Sequence, residues 1–202
     1  MHNNSDRFNF DNDIVLEDDR VLLRPLVDSD YEYLLPFSID EPELWLHSPV
    51  TAAGAAALRT YMDSALTSRK NQQSYPFIVW DKSKQQYGGS TRYYDIKIDN
   101  GSLLLGYTWY GKAFQGTGIN KRIKFLMLEY AFEVLNMERV EFRADQSNER
   151  SVAAMKSIGC VLEGVLRKET LMPSGRRRDT VVLSILKAEW FATAKQRLAS
   201  KM

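Results

Sequence analysis

Three glycines stand between an aromatic, apolar run and a long apolar segment, and this order restricts the local structure. The run from Leu103 to Tyr110 is typical of a strand, and the segment from Ile119 to Leu135 is typical of a helix. Between them lies the loop GKAFQGTG, residues 111–118. A helix that begins directly after such a loop presents free backbone N–H groups, and its dipole favours negative charge there. Because glycines leave the backbone open to close approach, the sequence predicts a phosphate-binding loop.

Two common phosphate-binding patterns do not fit this loop. The P-loop of nucleoside triphosphatases needs Gly-Lys followed by Ser or Thr, and here Gly118 is followed by Ile119. The dinucleotide-binding pattern needs a third glycine at the position that Lys121 occupies. The loop therefore predicts a phosphate site of another class.

Composition limits the class of protein. The 202 residues suffice for one domain with a sizeable core, and we expect an N-terminal arm over residues 1–19, loose over residues 1–13, followed by a single domain over 20–202. The net charge of +1 does not favour a nucleic-acid or membrane surface. A single cysteine, Cys160, suits a reducing compartment, and the polar N-terminus does not resemble a signal peptide, so we expect a cytoplasmic protein. No metal-ligand spacing occurs, so no metal site is predicted.

Hydrophobic periodicity predicts interspersed strands and helices, hence an α/β protein with a mixed sheet. We expect helices from Asp28 or Ser29 to Pro36, from a Thr51 cap through Leu66, and from Ser147 or Asn148 to Gly159. Further helices are expected over residues 119–135 and 187–201. The inward face of the first of these carries Ile119, Ile123, Leu126, Met127, Tyr130 and Val134. Strands are expected over residues 14–16, 21–26, 75–80, 87–98, 103–110, 139–144, 161–172 and 180–186.

Two ordered motifs resemble those of a known superfamily. Residues 115–120, QGTGIN, resemble the pyrophosphate-binding motif Q/R-x-x-G-x-G/A of the GNAT acyl-CoA-dependent N-acyltransferases, with Asn120 departing at the last position. Residues 145–151, DQSNERS, followed by Ile158-Gly159-Cys160, resemble the strand-to-helix segment of the same superfamily. The tail from Glu163 to Trp190 is similar to the RimJ/RimL type of ribosomal-protein N-terminal acetyltransferase. The similarity covers roughly residues 20 to 190.

This resemblance implies a fold, a co-substrate and a reaction. The fold would be a mostly antiparallel mixed sheet with a splayed central strand pair, flanked by helices. Acetyl-CoA would donate an acetyl group to a primary amine by direct attack in a ternary complex. A backbone N–H near Trp109 or Tyr110 would polarise the thioester carbonyl. The residues implied in acetyl-CoA binding are Trp109, Tyr110, Gln115, Gly116, Thr117, Gly118, Ile119, Asn120 and Asn148.

The sequence departs from the superfamily at the groups that move protons. Many members carry a tyrosine as acid where this chain has Met155, so the resemblance points to Ser151 as proton donor or as hydrogen-bond donor to the sulfur. Asn148 also fits the plain role of a helix N-cap. The strand from Leu103 to Tyr110 lacks the glutamate base of many members. Water or one of four carboxylates is left as the base: Glu163, Glu169, Glu141 and Asp145.

Further alternatives stay open from the sequence. Arg122 replaces a glutamate of the branch and is expected to face a phosphate. The acceptor can be a protein N-terminus, an amino acid, a polyamine or an aminoglycoside amine. The state of assembly can be monomer or homodimer, with no nucleic-acid or membrane partner. The missing tyrosine and strand glutamate also leave a second class of function, a CoA-binding sensor or interaction module with weak or no turnover.

Overall fold

A computed structural model describes residues 8–202. One sheet holds the eight strands of this part of the chain. They are β1 (Leu16–Glu17), β2 (Val21–Pro25), β3 (Ser74–Asp81), β4 (Gln86–Lys97), β5 (Ser102–Tyr110), β6 (Arg139–Asp145), β7 (Val161–Leu171) and β8 (Arg177–Leu186). The α-helices are α1 (Tyr31–Asp40), α2 (Ala55–Lys70), α3 (Ile119–Glu129), α4 (Glu149–Ser157), α5 (Lys187–Glu189) and α6 (Lys195–Ala199). A π-helical turn, Tyr130–Val134, extends α3, and another, Trp190–Ala194, joins α5 to α6.

The sheet parts in its middle. The strand order is β1-β2-β3-β4-β5-β6-β8-β7, and every neighbouring pair is antiparallel except β5 and β6. These two strands run parallel and pair only over residues 102–104 and 139–141. Beyond that point residues 105–110 of β5 and 142–145 of β6 diverge, and we call the gap between them the β5–β6 fork. The predicted mixed, mostly antiparallel sheet with a splayed central pair is confirmed.

Helices cover the sheet on two faces. On one face α3, the π-helical turn Trp190–Ala194 and α6 pack on the larger core, which contains Tyr93, Leu103, Phe142 and Trp190, all nearly inaccessible to solvent. On the other face α1 and α2 pack on a second core. It includes Leu34, Leu58, Tyr61, Met62, Ile78 and Trp109. No helix of residues 8–202 is both long and apolar enough to cross a membrane.

The end of α3 departs from the predicted helical phase. Val134 was expected on the inward face, but its side chain is 61% exposed, so that prediction is wrong. The reason is the π-helical turn, which takes more residues per turn than an α-helix and shifts the phase of the side chains that follow. Ala131, Phe132 and Leu135 are buried instead.

The N-terminal segment is packed where a loose arm was expected. Phe8 and Phe10 are buried, and both rings lie against Tyr75 at centroid distances of 5.6 and 6.4 Å. The Tyr75 hydroxyl also accepts a hydrogen bond from the backbone N–H of Ile14 at 2.9 Å. The expectation of a loose arm is therefore wrong for residues 8–13, while residues 1–7 lie outside the described part. The expected edge strand is present as β1.

Two helix boundaries on the second face also differ from prediction. Helix α1 continues through Pro36 to Asp40, although a proline in the helix interior removes a hydrogen-bond donor. Helix α2 begins after Gly54, whose φ of 90° only glycine adopts readily, rather than at Thr51. The Thr51 hydroxyl instead accepts the backbone N–H of Ala53 at 3.1 Å, which closes a local turn before the helix.

Candidate active site

The glycine loop leads directly into the N-terminus of α3. Gly118 is its N-cap residue and has a left-handed backbone with φ of 87°, and Gly116 has φ of 74°. A β-carbon added at either glycine would meet no atom within 4 Å. Glycine is therefore required at both positions by the backbone, and the space above them is open to a ligand.

Backbone donors at this helix start are free. Among residues 8–202 the N–H groups of residues 116–120 have no protein acceptor, and the first amide of α3 that bonds back is Lys121, to the Gly118 carbonyl at 3.0 Å. Free N–H groups together with the helix dipole form a site for an anion such as a pyrophosphate. The loop therefore fits the diphosphate of coenzyme A.

Polar side chains of the loop hold its shape. Gln115 donates to the Tyr110 carbonyl at 2.7 Å, and its own carbonyl oxygen accepts from Arg150 at 2.7 Å. The Thr117 hydroxyl donates to the Phe114 carbonyl at 2.7 Å. In addition the Tyr110 hydroxyl donates to the Asn120 side-chain oxygen at 3.3 Å. Arg150 belongs to α4, so its bond to Gln115 also ties the two sequence motifs together.

Two residues in the first turns of α3 contact other parts of the protein. Ile119 is 1% exposed and anchors α3 in the larger core. Arg122 donates to Asp18 at 2.8 Å and also to Asp19, both in the turn between β1 and β2. The expectation that Arg122 faces a phosphate is therefore wrong, because two nearer carboxylates take its guanidinium.

The β5 side of the fork offers backbone groups to a ligand. Trp109 and Tyr110 are both buried, but on opposite faces of the sheet. Trp109 packs on Trp45 at 5.1 Å between ring centroids, and burial raises the pKa of Tyr110. Pairing between β4 and β5 is irregular between Gly106 and Trp109, where Tyr107 has φ of 50°. Backbone groups that point from residues 105–110 into the fork have no strand beside them, so they can bond an extended ligand.

The second motif lies across the fork, because β6 runs directly into it. Asn148 is the N-cap of α4, and its side-chain oxygen accepts the backbone N–H of Ser151 at 3.0 Å. The plain N-cap role is therefore present. The Ser151 hydroxyl has no hydrogen-bond partner within residues 8–202 and is half-buried in the first turn. Met155 is buried in the larger core and carries no proton to donate.

Three of the four carboxylates considered as base lie in ion pairs along β6, β7 and β8. Glu141 lies 2.8 Å from both Arg139 and Arg143, and Glu163 also pairs with Arg139. The hydrogen bond from Arg139 lowers the pKa of Glu163. Glu169 accepts from the Thr180 hydroxyl at 2.7 Å, which lowers its pKa. A carboxylate with a lowered pKa is a weaker proton acceptor, so Glu163 and Glu169 are not favoured. Glu141 is not favoured either, because two guanidinium groups already occupy it.

Asp145, at the end of β6, has a neighbour that the sequence did not indicate. Burial opposes ionisation of its carboxyl, but the ion pair with Arg176 and the bonds from Ser147 leave its pKa lowered. The His47 Nδ1 lies 3.8 Å from Asp145 Oδ2 and 3.4 Å from the Ser147 hydroxyl. The sequence indicates no role for His47, since nothing near it in the chain suggests a partner. The fold alone brings it to the mouth of the fork.

Lys124 is a second residue that sequence reasoning missed. It is 6% exposed on α3, its Nζ donates to the Thr108 hydroxyl at 2.8 Å, and it lies 5.8 Å from the ring centre of Phe142. It therefore lies between β5 and β6 at the floor of the fork. Burial lowers the pKa of Lys124 to about 7. The sequence held one signal of this burial, because position 124 falls on the same helix face as Met127 and Leu128.

A parted sheet beside an open helix N-terminus offers room for an acyl-CoA. The diphosphate fits the free amides, and the extended arm of the coenzyme fits the backbone of the fork. The sequence matches the family described as an acetyltransferase (GNAT) domain over residues 20–161, and the chain belongs to this family. Members of the family take acetyl-CoA as co-substrate.

Individual relatives agree with this family. A protein of Bacillus subtilis (strain 168), YdaF, provisionally named a ribosomal N-acetyltransferase, is 40% identical over 91 residues, 45% of this chain and 49% of its own. Spermidine N(1)-acetyltransferase of Escherichia coli (strain K12) is 28% identical over 82 residues, 41% of this chain and 44% of its own. The similarity thus spans about half the length of each of these relatives. A crystal structure from T. thermophilus, provisionally named an acetyltransferase, superposes with a TM-score of 0.83 at 33% identity, covering 93% of this chain and 96% of that one.

Proposed function

We propose that this protein is an N-acetyltransferase that moves the acetyl group of acetyl-CoA to a primary amine within a ternary complex. One observation carries the proposal: β5 and β6 separate after residues 104 and 141, directly beside the free amides at the start of α3. Such a gap lets a thioester lie between two strands while its diphosphate rests on a helix N-terminus. The family supports acetyl as the acyl group. We also propose that residues 20–202 form one catalytic domain and that the protein is cytoplasmic, since its single cysteine suits a reducing compartment.

The cofactor-binding residues have two kinds of role in this proposal. Backbone N–H groups of Gly116, Thr117, Gly118, Ile119 and Asn120 hold the diphosphate, while Gln115 fixes the loop through Tyr110 and Arg150. The backbone at Trp109 and Tyr110 holds the thioester and polarises its carbonyl. Asn148 orients the start of α4 through its bond to Ser151, and its side-chain N–H groups are left for the coenzyme arm.

Transfer requires a neutral amine and a leaving thiolate. The nitrogen lone pair attacks the thioester carbonyl, the carbon–sulfur bond breaks, and the amine proton must go to a base. We assign that base to His47, since imidazole is the side chain that most often serves as general base and Asp145 lies beside its Nδ1. Ser151, whose hydroxyl is free of protein partners within residues 8–202, protonates the thiolate or hydrogen-bonds the sulfur.

The proposal is tested by measuring free-thiol release from acetyl-CoA with a panel of amines. The panel holds amino acids, peptides with free N-termini, polyamines and an aminoglycoside, and each product is checked by mass for the added acetyl group. We expect amine-dependent thiol release with at least one class. If folded protein that binds acetyl-CoA releases no thiol with any of these amines, the result would support a CoA-binding sensor instead.

Replacing His47 by glutamine tests the assigned base. We expect His47→Gln to lower kcat/KM for the amine by about 10² or more, the usual effect of losing general base catalysis. Unchanged thermal stability and acetyl-CoA affinity serve as controls. A kcat/KM equal to that of the parent would remove His47 from the mechanism.

The named relatives act on different acceptors. YdaF is named for ribosomal substrates and the Escherichia coli enzyme for spermidine. Transfer to nitrogen agrees with the proposed reaction, but the two names point to different acceptors. The acceptor of this chain therefore depends on its own residues.

A further inference from the structure

A cavity of about 440 Å³ lies on the face of the sheet that α1 and α2 cover. Its walls come from α2, from the start of β3, from β4 and from Tyr107 at the irregular part of β5. Its polar lining includes Arg92 on β4, Tyr61 on α2 and Ser74 on β3. The volume lies within the range of sites for small molecules, roughly 300–1,000 Å³.

Arg92 is buried in this cavity wall without an acceptor. It is 5% exposed, and its guanidinium lies between two aromatic rings, 4.9 Å from the ring centre of Tyr61 and 4.2 Å from that of Tyr107. Its Nε and Nη2 have no hydrogen-bond partner among residues 8–202. Burying a guanidinium without a partner is costly, so a fold that keeps one there is expected to gain a partner from a ligand.

Other buried donors surround the same space. The Tyr61 hydroxyl and the Ser74 hydroxyl also lack hydrogen-bond partners within the described part of the chain. The carboxylate in the cavity wall, Asp95, lies 3.0 Å from Lys97 and is half exposed, so it does not neutralise Arg92. The interior thus presents donors and positive charge. A carboxylate matches it, because a guanidinium binds the two carboxylate oxygens side by side.

The cavity lies next to the fork. Arg92 pairs with Gly106 across the β4–β5 ladder, and Tyr107 follows Gly106 at the point where β5 has left β6. Neighbouring strands lie about 4.8 Å apart, so a ligand held at Arg92 needs to cross little more than one strand to reach the fork. A small molecule with a carboxylate at one end and an amine at the other can span that distance.

We propose that the acceptor of the acetyl group is a small amino acid, whose carboxylate is bound by Arg92, Tyr61 and Ser74. This inference rests on the proposed function and narrows its acceptor to amines that carry a negative group. Polyamines are disfavoured, since a second positive charge would enter a cavity whose buried ion is already positive.

Matched pairs of acceptors test the inference. The acceptors are amino acids from glycine to 6-aminohexanoate, and each is compared with its carboxamide. The two members of a pair share the amine and differ in the carboxylate. In the longer members the amine pKa hardly differs between acid and amide. We expect kcat/KM for the preferred acid to exceed that for its amide at least about tenfold, as is usual for hydrogen bonds to a charged group. Equal rates for acid and amide, or a preference for spermidine, would overturn the inference while leaving acetyl transfer intact.

Substitutions test whether Arg92 causes the preference for the acid over the amide. In Arg92→Met the preference for the acid should vanish while the rate on the amide stays within a few-fold of the parent. Its thermal midpoint should not fall, since an unpaired buried charge is removed. Arg59→Met is the control, because Arg59 also stacks on a tyrosine of this face, Tyr31 at 5.3 Å, but does not line the cavity. Retained preference in Arg92→Met would contradict the inference.

A binding experiment distinguishes failure of this inference from failure of the proposed function. Calorimetric titration of the same amino acids into the parent, without acetyl-CoA, should show binding that Tyr61→Phe weakens and Arg92→Met abolishes. Tyr61→Phe keeps the ring against Arg92 and so serves if Arg92→Met does not fold. If the parent binds the amino acids but transfers no acetyl group, the proposed function alone is refuted. If it binds none of them and yet acetylates amines that carry no carboxylate, this inference alone is refuted.

Discussion

Ser151 is a half-buried residue at the fork whose hydroxyl has no protein partner within residues 8–202. It lies in the first turn of α4, and its backbone N–H is held by Asn148. The thiol of coenzyme A resembles that of cysteine, with a pKa of about 8.5, so a proton donor assists its departure without being indispensable.

Replacing Ser151 by alanine tests this role. We expect Ser151→Ala to lower kcat at least about tenfold and to leave the affinity for acetyl-CoA within a few-fold. The control is Ser157→Ala at the other end of α4, where the hydroxyl bonds the Ala154 carbonyl at 2.7 Å. An unchanged kcat in Ser151→Ala would reduce Ser151 to a residue of the helix start, with water protonating the thiolate.

Lys124 gives a prediction on stability and pH. Burial lowers its pKa from 10.5 to about 7, so between these values the unfolded chain binds a proton that the folded protein has released. The free energy of unfolding should therefore rise with pH in this window, by up to about 1.4 kcal/mol per pH unit, and be flat below it. Lys124→Met removes this dependence, so the stability it gains over the parent should be constant below about pH 7 and shrink towards pH 10.5.

Chemical unfolding of parent and variant from pH 6 to pH 10 measures this difference. The exposed Lys156 on α4, replaced by methionine, is the control and should leave the pH dependence of the parent unchanged. Parallel curves for the parent and Lys124→Met would show that Lys124 does not titrate in this window.

The glycine loop and the start of α3 act as one element. We expect Gly118→Val to abolish acetyl-CoA binding, since the branched side chain would occupy the open space above the helix N-terminus. The positive φ of Gly118 adds backbone strain of about 1–3 kcal/mol, so lost stability must be separated from lost binding.

Gly54 provides the matched control. It is the N-cap of α2, has φ of 90°, and also has open space at its β-carbon position. Gly54→Val should lose at least as much stability, since its ψ of 154° lies in a region that only glycine adopts readily, but should bind acetyl-CoA as the parent does in a calorimetric titration. Equal acetyl-CoA affinity in both variants would mean that the loop is only a turn.

Elements were predictable from the sequence where local patterns decide them. The strand, glycine loop and helix around residues 103–129 follow from apolar periodicity and from glycines that the backbone requires, and the structure confirms them. The phase at Val134 was not predictable, since a π-helical turn leaves no clear pattern in apolar spacing. Packing of Phe8 and Phe10 depends on Tyr75, which is distant in the chain, so composition alone suggested a loose arm.

At the scale of the whole molecule, the candidate site is assembled from segments far apart in the chain. Local motifs predicted the side that we propose receives coenzyme A, because a short loop and a helix start form it. The acceptor side could not be predicted. It needs His47 from the segment before α2, Tyr61 from α2, Arg92 from β4 and Asp145 from β6, and no sequence pattern relates these four residues.

Thermal unfolding with and without acetyl-CoA tests the central claim, that the glycine loop and the β5–β6 fork together bind acetyl-CoA. At a concentration of 100 times Kd the folded state gains about 2.7 kcal/mol, which in a chain of this length raises the midpoint by about 5 to 10 °C. We predict this increase for the parent and for Gly54→Val, and none for Gly118→Val. An unchanged midpoint for folded parent protein in millimolar acetyl-CoA would contradict the account.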